Sequence, residues 1–190
     1  MKFPKWKQFN MKIISIDIHS DFGFFKKPDI NESLYLTFNC IHKPALLGIF
    51  GAIIGLRGYT TLKKIPEYYE KLENLKISIM PLNSRDGNFL KTIIKYNNSI
   101  GFASEETGGN LIIIEQTLIK PSYRCFLQIE NNNDLHNQLN NNLENNEAVY
   151  LPYMGKNDFS LCWDNFLEYE GTDEFNITEN YRIKSLFIKE

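Results

Sequence analysis

Asp17, His19 and Asp21 fall at every second position, a spacing that sets three potential metal donors on one side of a strand. Nothing elsewhere in the chain completes such a site, so the sequence predicts no metal and no cofactor. The glycine-bearing segment 44–56 lacks the G-K-[ST] ending of a phosphate-binding loop, and no G-x-S-x-G or paired Cys–His arrangement is present. A different chemistry gathers at 22–27, where Phe22, Phe24 and Phe25 stand beside Lys26 and Lys27. Cations neutralise phosphates and aromatic faces stack on flat rings, so the mixture fits a polyanion that carries bases. Tyr123-Arg124 repeats the pairing, Lys43 precedes a helix start where free N–H groups favour an anion, and Gly155-Lys156 offers a tight turn. Phe24 and Phe25 also fit an ordinary core.

These residues need elements to hold them. Ile14, Ile16 and Ile18 alternate with Ser15, Asp17 and His19, predicting a half-buried strand over 12–18 with a polar second face. Pro44 opens a helix whose glycines, Gly48, Gly51 and Gly55, share one face. A stripe so bare needs another backbone close by, and the sheet is the expected neighbour. A second strand is predicted over 74–81, a strand-like stretch over 89–96, and a hairpin of 111–119 with 123–129 around Lys120-Pro121-Ser122. The tract 131–146 holds nine asparagines, yet Leu135, Leu139 and Leu143 recur every fourth residue, predicting an amphipathic helix capped by Asp134. A strand interrupted by Met154-Gly155-Lys156-Asn157 is expected over 149–161, and a last strand over 181–188. The order is the β-α-β-β-α-β ferredoxin-like plan, an α+β two-layer sandwich. It implies an extension over 1–11, a domain over 12–163 with an insertion at about 83–110, and a C-terminal extension over 164–190.

With 43% apolar and 23% charged residues in 190, the chain is no disordered segment. Its longest apolar run, 44–56, is shorter than the roughly 18 residues that read as a membrane span. The three cysteines, Cys40, Cys125 and Cys162, are odd in number and far apart. With no secretory signal pattern, they point to a reducing cytoplasm. The formal charge of −2 hides a division: 17 Lys and Arg stand against 11 Asp and Glu in 1–128, and 4 against 12 in 129–190. One end of the chain suits a polyanion and the other does not.

Three blocks resemble a known family. Phe24-Phe25-Lys26-Lys27-Pro28, Leu36-Thr37-Phe38 and the run from Lys43-Pro44-Ala45-Leu46-Leu47-Gly48 to Gly55-Leu56 are similar to the amino-terminal block of the fifth CRISPR-associated protein family. Leu118-Ile119-Lys120-Pro121-Ser122-Tyr123-Arg124 resembles its hairpin, and Tyr150-Leu151-Pro152-Tyr153-Met154-Gly155-Lys156-Asn157-Asp158-Phe159 its glycine turn. The subgroup most similar is that of type I-B systems. The resemblance implies a ferredoxin-like, repeat-associated (RAMP) subunit of Cascade, the antiviral surveillance complex. Such a subunit is non-catalytic. It binds and caps the 5′ handle of the CRISPR RNA, bridges the backbone and large subunits, and meets target DNA through the assembled complex. It also implies that 83–110 holds the projecting thumb.

On this reading the RNA-binding set is Phe25, Lys26, Lys27, Lys43, Arg57, Arg85, Lys120, Tyr123, Arg124, Gly155 and Lys156. Arg57 and Arg85 enter only as cations near these segments. The aromatic motif of a sheet-face RNA reader is missing, which places RNA on loops and edges. The type I-C subgroup of the family cleaves precursor RNA without a metal. That alternative needs an acid and a base near a ribose 2′-OH, and His42, His19, Tyr59 and Tyr123 are the groups available. A protein-interaction module without RNA is the third reading.

Overall fold

A computed structural model describes residues 11–28, 33–97 and 111–169. The elements are β1 (Met11–His19), β2 (Phe22–Gly23), α1 (Lys43–Ile54), α2 (Glu67–Leu72), β3 (Ile77–Pro81), β4 (Lys91–Asn97), β5 (Ile112–Ile119), β6 (Ser122–Glu130), α3 (Asp134–Asn145) and β7 (Cys162–Tyr169). Four strands form an antiparallel sheet in the order β3-β6-β1-β7. Taken with α1 and α3, this is the ferredoxin-like α+β plan that the sequence predicts. No helix among the described residues is long and apolar enough to cross a membrane.

The strand alternation sets the core. Ile14, Ile16 and Ile18 lie opposite Leu127, Cys125 and Tyr123 across the β1–β6 pair, and all six are buried. Leu46, Leu47, Phe50 and Ile53 of α1 and Leu139 and Leu143 of α3 complete the same cluster. At roughly 1.5–3 kcal/mol per large apolar side chain, this face is the main stabilising contact of the sheet. The asparagine-rich helix has a second role. Asn142 and Gln138 donate to the carbonyls of Ile53 and Ile54, which the end of α1 leaves unpaired. Its cap is Asn133, not Asp134: the Asn133 side-chain oxygen accepts from the N–H groups of Leu135 and His136.

Several expectations are corrected. The predicted hairpin of 111–119 with 123–129 is not a pair. β5 belongs to a second sheet, ordered β2-β5-β4, while β6 belongs to the first. Lys120 in the left-handed region and Pro121 without an N–H turn the chain from one sheet to the other. β5 pairs instead with β4, from Lys91↔Leu118 to Asn97↔Ile112, and at its end with β2. The remainder of the expected thumb, 98–110, lies outside the described residues, as does the strand expected at 181–188.

The last strand of the main sheet is β7, beside β1. Residues 149–161 hold only an isolated bridge, Tyr153↔Ser160. The expected boundary between 163 and 164 therefore falls inside a strand. A bulge explains why alternation did not reveal it. Pairing shifts between Ser15 and Asp17, Asn165 takes a positive φ, and the half-buried residues of β7 become Trp163, Phe166 and Tyr169.

The glycine stripe does not face the sheet: Gly48 and Gly51 face Tyr68 of α2, and Gly55 faces Val149. A Cβ on Gly51 would lie 2.4 Å from the Cβ of Tyr68, so only glycine lets the two helices approach this closely.

His136 is buried, and its Nδ1 accepts the N–H of Glu130 at 3.2 Å. Burial pushes its imidazole below the usual histidine range. The neutral form therefore fits the folded state, and its stabilisation is full above the unfolded value of about 6.5. It is lost as pH falls from that value through the depressed folded one. We expect stability to decline below about pH 6.5, and His136→Gln to flatten this decline in denaturant melts. A decline of unchanged steepness in the variant would assign it to other groups.

Candidate nucleic-acid interface

The chain leaves β2 through Phe24 and Phe25 and returns along 35–38 as a two-stranded ribbon. Lys27 N–H donates to the Leu36 carbonyl at 2.8 Å and Phe38 N–H to the Phe25 carbonyl at 2.7 Å. The Thr37 hydroxyl accepts the Phe25 N–H within the fold. Antiparallel pairing of Lys26 with Thr37 sends Lys26 and Lys27 to opposite faces of the ribbon.

On one face the Lys26 ammonium stands 3.8 Å from the centre of the Tyr35 ring. On the other, Lys27 lies 5.9 Å from the Phe38 ring, and Phe38 meets His42 edge-on at 5.5 Å. Phe25 touches the same imidazole from beneath, with ring centres 6.1 Å apart. Among the described residues neither lysine has an ion-pair partner. The Asn39 amide donates to the Gly87 carbonyl, which brings the turn carrying exposed Arg85 alongside. The result is a pair of lysine–ring contacts, one on each face of the ribbon, with exposed Phe38 and His42 at the start of α1, able to stack bases and meet phosphates.

Other expected residues are placed differently. Phe25 is core. So is Tyr123, whose phenol is pushed far upward by burial. Arg124 points to the sheet face opposite the helices, where its Nε and Nη2 donate to Asp17 at 2.6 and 2.7 Å. Asn165 adds a third hydrogen bond at 3.0 Å. Arg124 holds the Asp17 carboxyl below its usual range against the opposing effect of burial. The pair neutralises itself, so Arg124 is not a spare cation.

Lys156 is likewise engaged, donating to Glu115 at 2.8 Å and to the Tyr96 hydroxyl at 2.9 Å. Gly155 presses on the Phe24 carbonyl rather than offering open backbone. Lys43 donates to the Glu73 carbonyl at 2.6 Å. The start of α1 has little to offer an anion: Pro44 lacks an N–H, and the His42 Nδ1 accepts that of Ala45 at 3.2 Å. Arg57 and Lys120 are exposed, the latter at the corner between the two sheets.

The four groups considered for acid–base work are dispersed. His42 caps α1, and burial against its neighbours pushes its imidazole down. His19 is exposed at the end of β1, 3.5 Å from Asp164. Tyr59 pairs edge-on with Tyr68, and Tyr123 is sealed in the core. No hydrogen bond or ring contact joins any two of them among the described residues. There too, no group of three or more His, Cys, Asp or Glu is placed to hold a metal.

Phe38 and Tyr35, the rings that meet the two lysines, were missed as candidate stacking faces. The signal available was Phe38 itself, in the Leu36-Thr37-Phe38 block.

No family model matches the sequence, and no curated protein matches it. Solved structures do. A chain described as a CRISPR RNA-guided surveillance complex is similar with a TM-score of 0.55 at 11% identity, over 77% of this chain and 58% of that one. A functionally uncharacterized protein from Streptococcus mutans is similar at 0.43 and 12% identity, over 82% and 68%. A structure described as a Cas protein gives 0.46 and 12%, over 76% and 57%. The first likeness shows the fold. The chain spans a little over half of that structure's length.

Proposed function

We propose that this chain is a non-catalytic RNA-binding subunit of a CRISPR surveillance complex of the type I-B kind, holding the 5′ handle of the CRISPR RNA. The observation that carries the reading is the Lys27–Phe38–His42 series on one face of the ribbon, with Lys26–Tyr35 on the other. Cations without acidic partners among the described residues, set against rings, match a single strand whose bases are splayed and whose phosphates must be neutralised. The shared fold with a chain of an RNA-guided surveillance complex supports the setting. In it the chain would bridge the backbone and large subunits and meet target DNA only through the assembly. Free thiols at Cys40, Cys125 and Cys162 fit the cytoplasm.

Lys26→Ala with Lys27→Ala tests the reading. Both side chains lie at the surface of the ribbon, so the fold should persist. Affinity for single-stranded handle RNA should drop, and the dependence of log affinity on log salt should flatten by about 1–2 units. An unchanged salt slope would remove the ribbon from the interface.

A further inference from the structure

A cleft of about 590 Å³ runs along α1 from its first turn. Its floor is Ala45, Gly48 and Ala52, side chains too small to hold anything off the helix. Around it stand four tyrosines from three segments: Tyr59 beyond α1, Tyr68 on α2, and Tyr150 and Tyr153 before the glycine turn. Tyr59, Tyr150 and Tyr153 are 75, 54 and 45% exposed. Large rings left in water around one concavity mark a binding site.

The chemistry narrows the occupant. Tyr68 is hydrogen-bonded to Tyr59, and burial with the neighbouring Tyr59 and Tyr153 phenols pushes its own hydroxyl up to about 12. The Tyr68 phenol thus stays neutral and braces the ring of Tyr59. Among the described residues no acidic side chain lines the cleft, and the one charged group there is Arg57. The Arg57 main chain is fixed by its N–H donating to Glu67 at 3.0 Å, while the residue itself is exposed. Rings with hydroxyl tips, a flat floor and a lone cation complement a nucleotide, with the base on the rings and the phosphate on the guanidinium. The cleft begins at Pro44 and Ala45, immediately after His42 of the aromatic series. A strand crossing Phe38 and His42 therefore reaches it next.

We propose that this cleft holds one unstacked nucleotide of the bound RNA, with Tyr59 and Tyr150 as stacking faces and Arg57 on its phosphate. The assignment rests on the RNA-binding reading above.

The test uses the full chain and a short single-stranded RNA carrying a fluorescent adenine analogue that stacking quenches, placed at successive positions. One position should be strongly quenched on binding. Tyr59→Ala and Tyr150→Ala should each relieve that quenching and weaken affinity about tenfold, while Tyr59→Phe keeps both. Arg57→Ala should lower the salt slope by about 0.7 units. Unaltered quenching and affinity in the tyrosine variants, with the Lys26 and Lys27 effect intact, would overturn the cleft assignment and leave the RNA reading standing. The cleft would then serve a protein neighbour. No RNA binding by the unmodified chain would overturn both.

Discussion

Lys156→Met is expected to destabilise the chain by roughly 3 kcal/mol in denaturant melts, the lower end of the range for breaking a buried ion pair. Glu115 is only 2% exposed, and its carboxylate meets the Lys156 ammonium at 2.8 Å. Burial opposes the lysine's charge, but the hydrogen bonds to Glu115 and Tyr96 outweigh it and hold Lys156 above its ordinary value. The rings of Tyr96, Phe159 and Phe24 surround the ammonium at 4.3, 5.6 and 5.9 Å. The variant leaves a carboxylate in this enclosure without its cation. Because 20% of the Lys156 side chain still reaches solvent, the effect sits at the low end of the range. Adding Glu115→Gln should recover much of the loss, since the stranded charge is then gone. A Lys156→Met chain as stable as its parent would contradict the ion pair. The pair joins the glycine turn to the β4–β5 sheet, so this substitution should also loosen the ribbon that Phe24 begins.

Gly155→Ala should cost more than about 2 kcal/mol. The backbone there has φ of 88°, a conformation worth about 1–2 kcal/mol against a residue with a Cβ. The added carbon would also lie 1.9 Å from the Phe24 carbonyl oxygen, which is main chain and cannot swing aside. Phe24 N–H in turn donates to the Met154 carbonyl at 3.1 Å, so the turn and the ribbon's root are locked together. Relief of the clash must move Phe24 and Phe25, and with them the packing beneath His42. We therefore expect lower thermal stability and faster proteolysis of the loop, together with weaker RNA binding. Parental stability with parental protease resistance would show that the turn is not seated on Phe24.

The parts of the fold legible in the sequence are those with an unbroken local period. Alternation identified β1, β3 and β6, and the leucines at intervals of four identified α3 through its asparagines. Three features were out of reach for identifiable reasons. β7 carries a bulge at Asn165, which shifts its inward residues off the period of two. β5 and β6 read as a hairpin because two strands flank a short turn, and only the choice of partners reveals two sheets.

Most consequential is the fate of the cations. Arg124 and Asp17 are far apart in the chain and come to face each other only through the β1–β6 register. Lys156 finds Glu115 through the seating of the glycine turn. A sequence supplies cations of equal standing, and long-range pairing decides which stay available. Among the described residues Lys26 and Lys27 do, since no carboxylate there pairs with either.

The account turns on where a single strand lies, which ultraviolet crosslinking of handle RNA to the full chain, mapped by mass spectrometry, reads directly. The result predicted is crosslinks at Phe38 and His42, on the rings at the start of α1. Crosslinks confined to Phe126 and Tyr169, which pair on the sheet face opposite the helices, would contradict it, as would no crosslink at all.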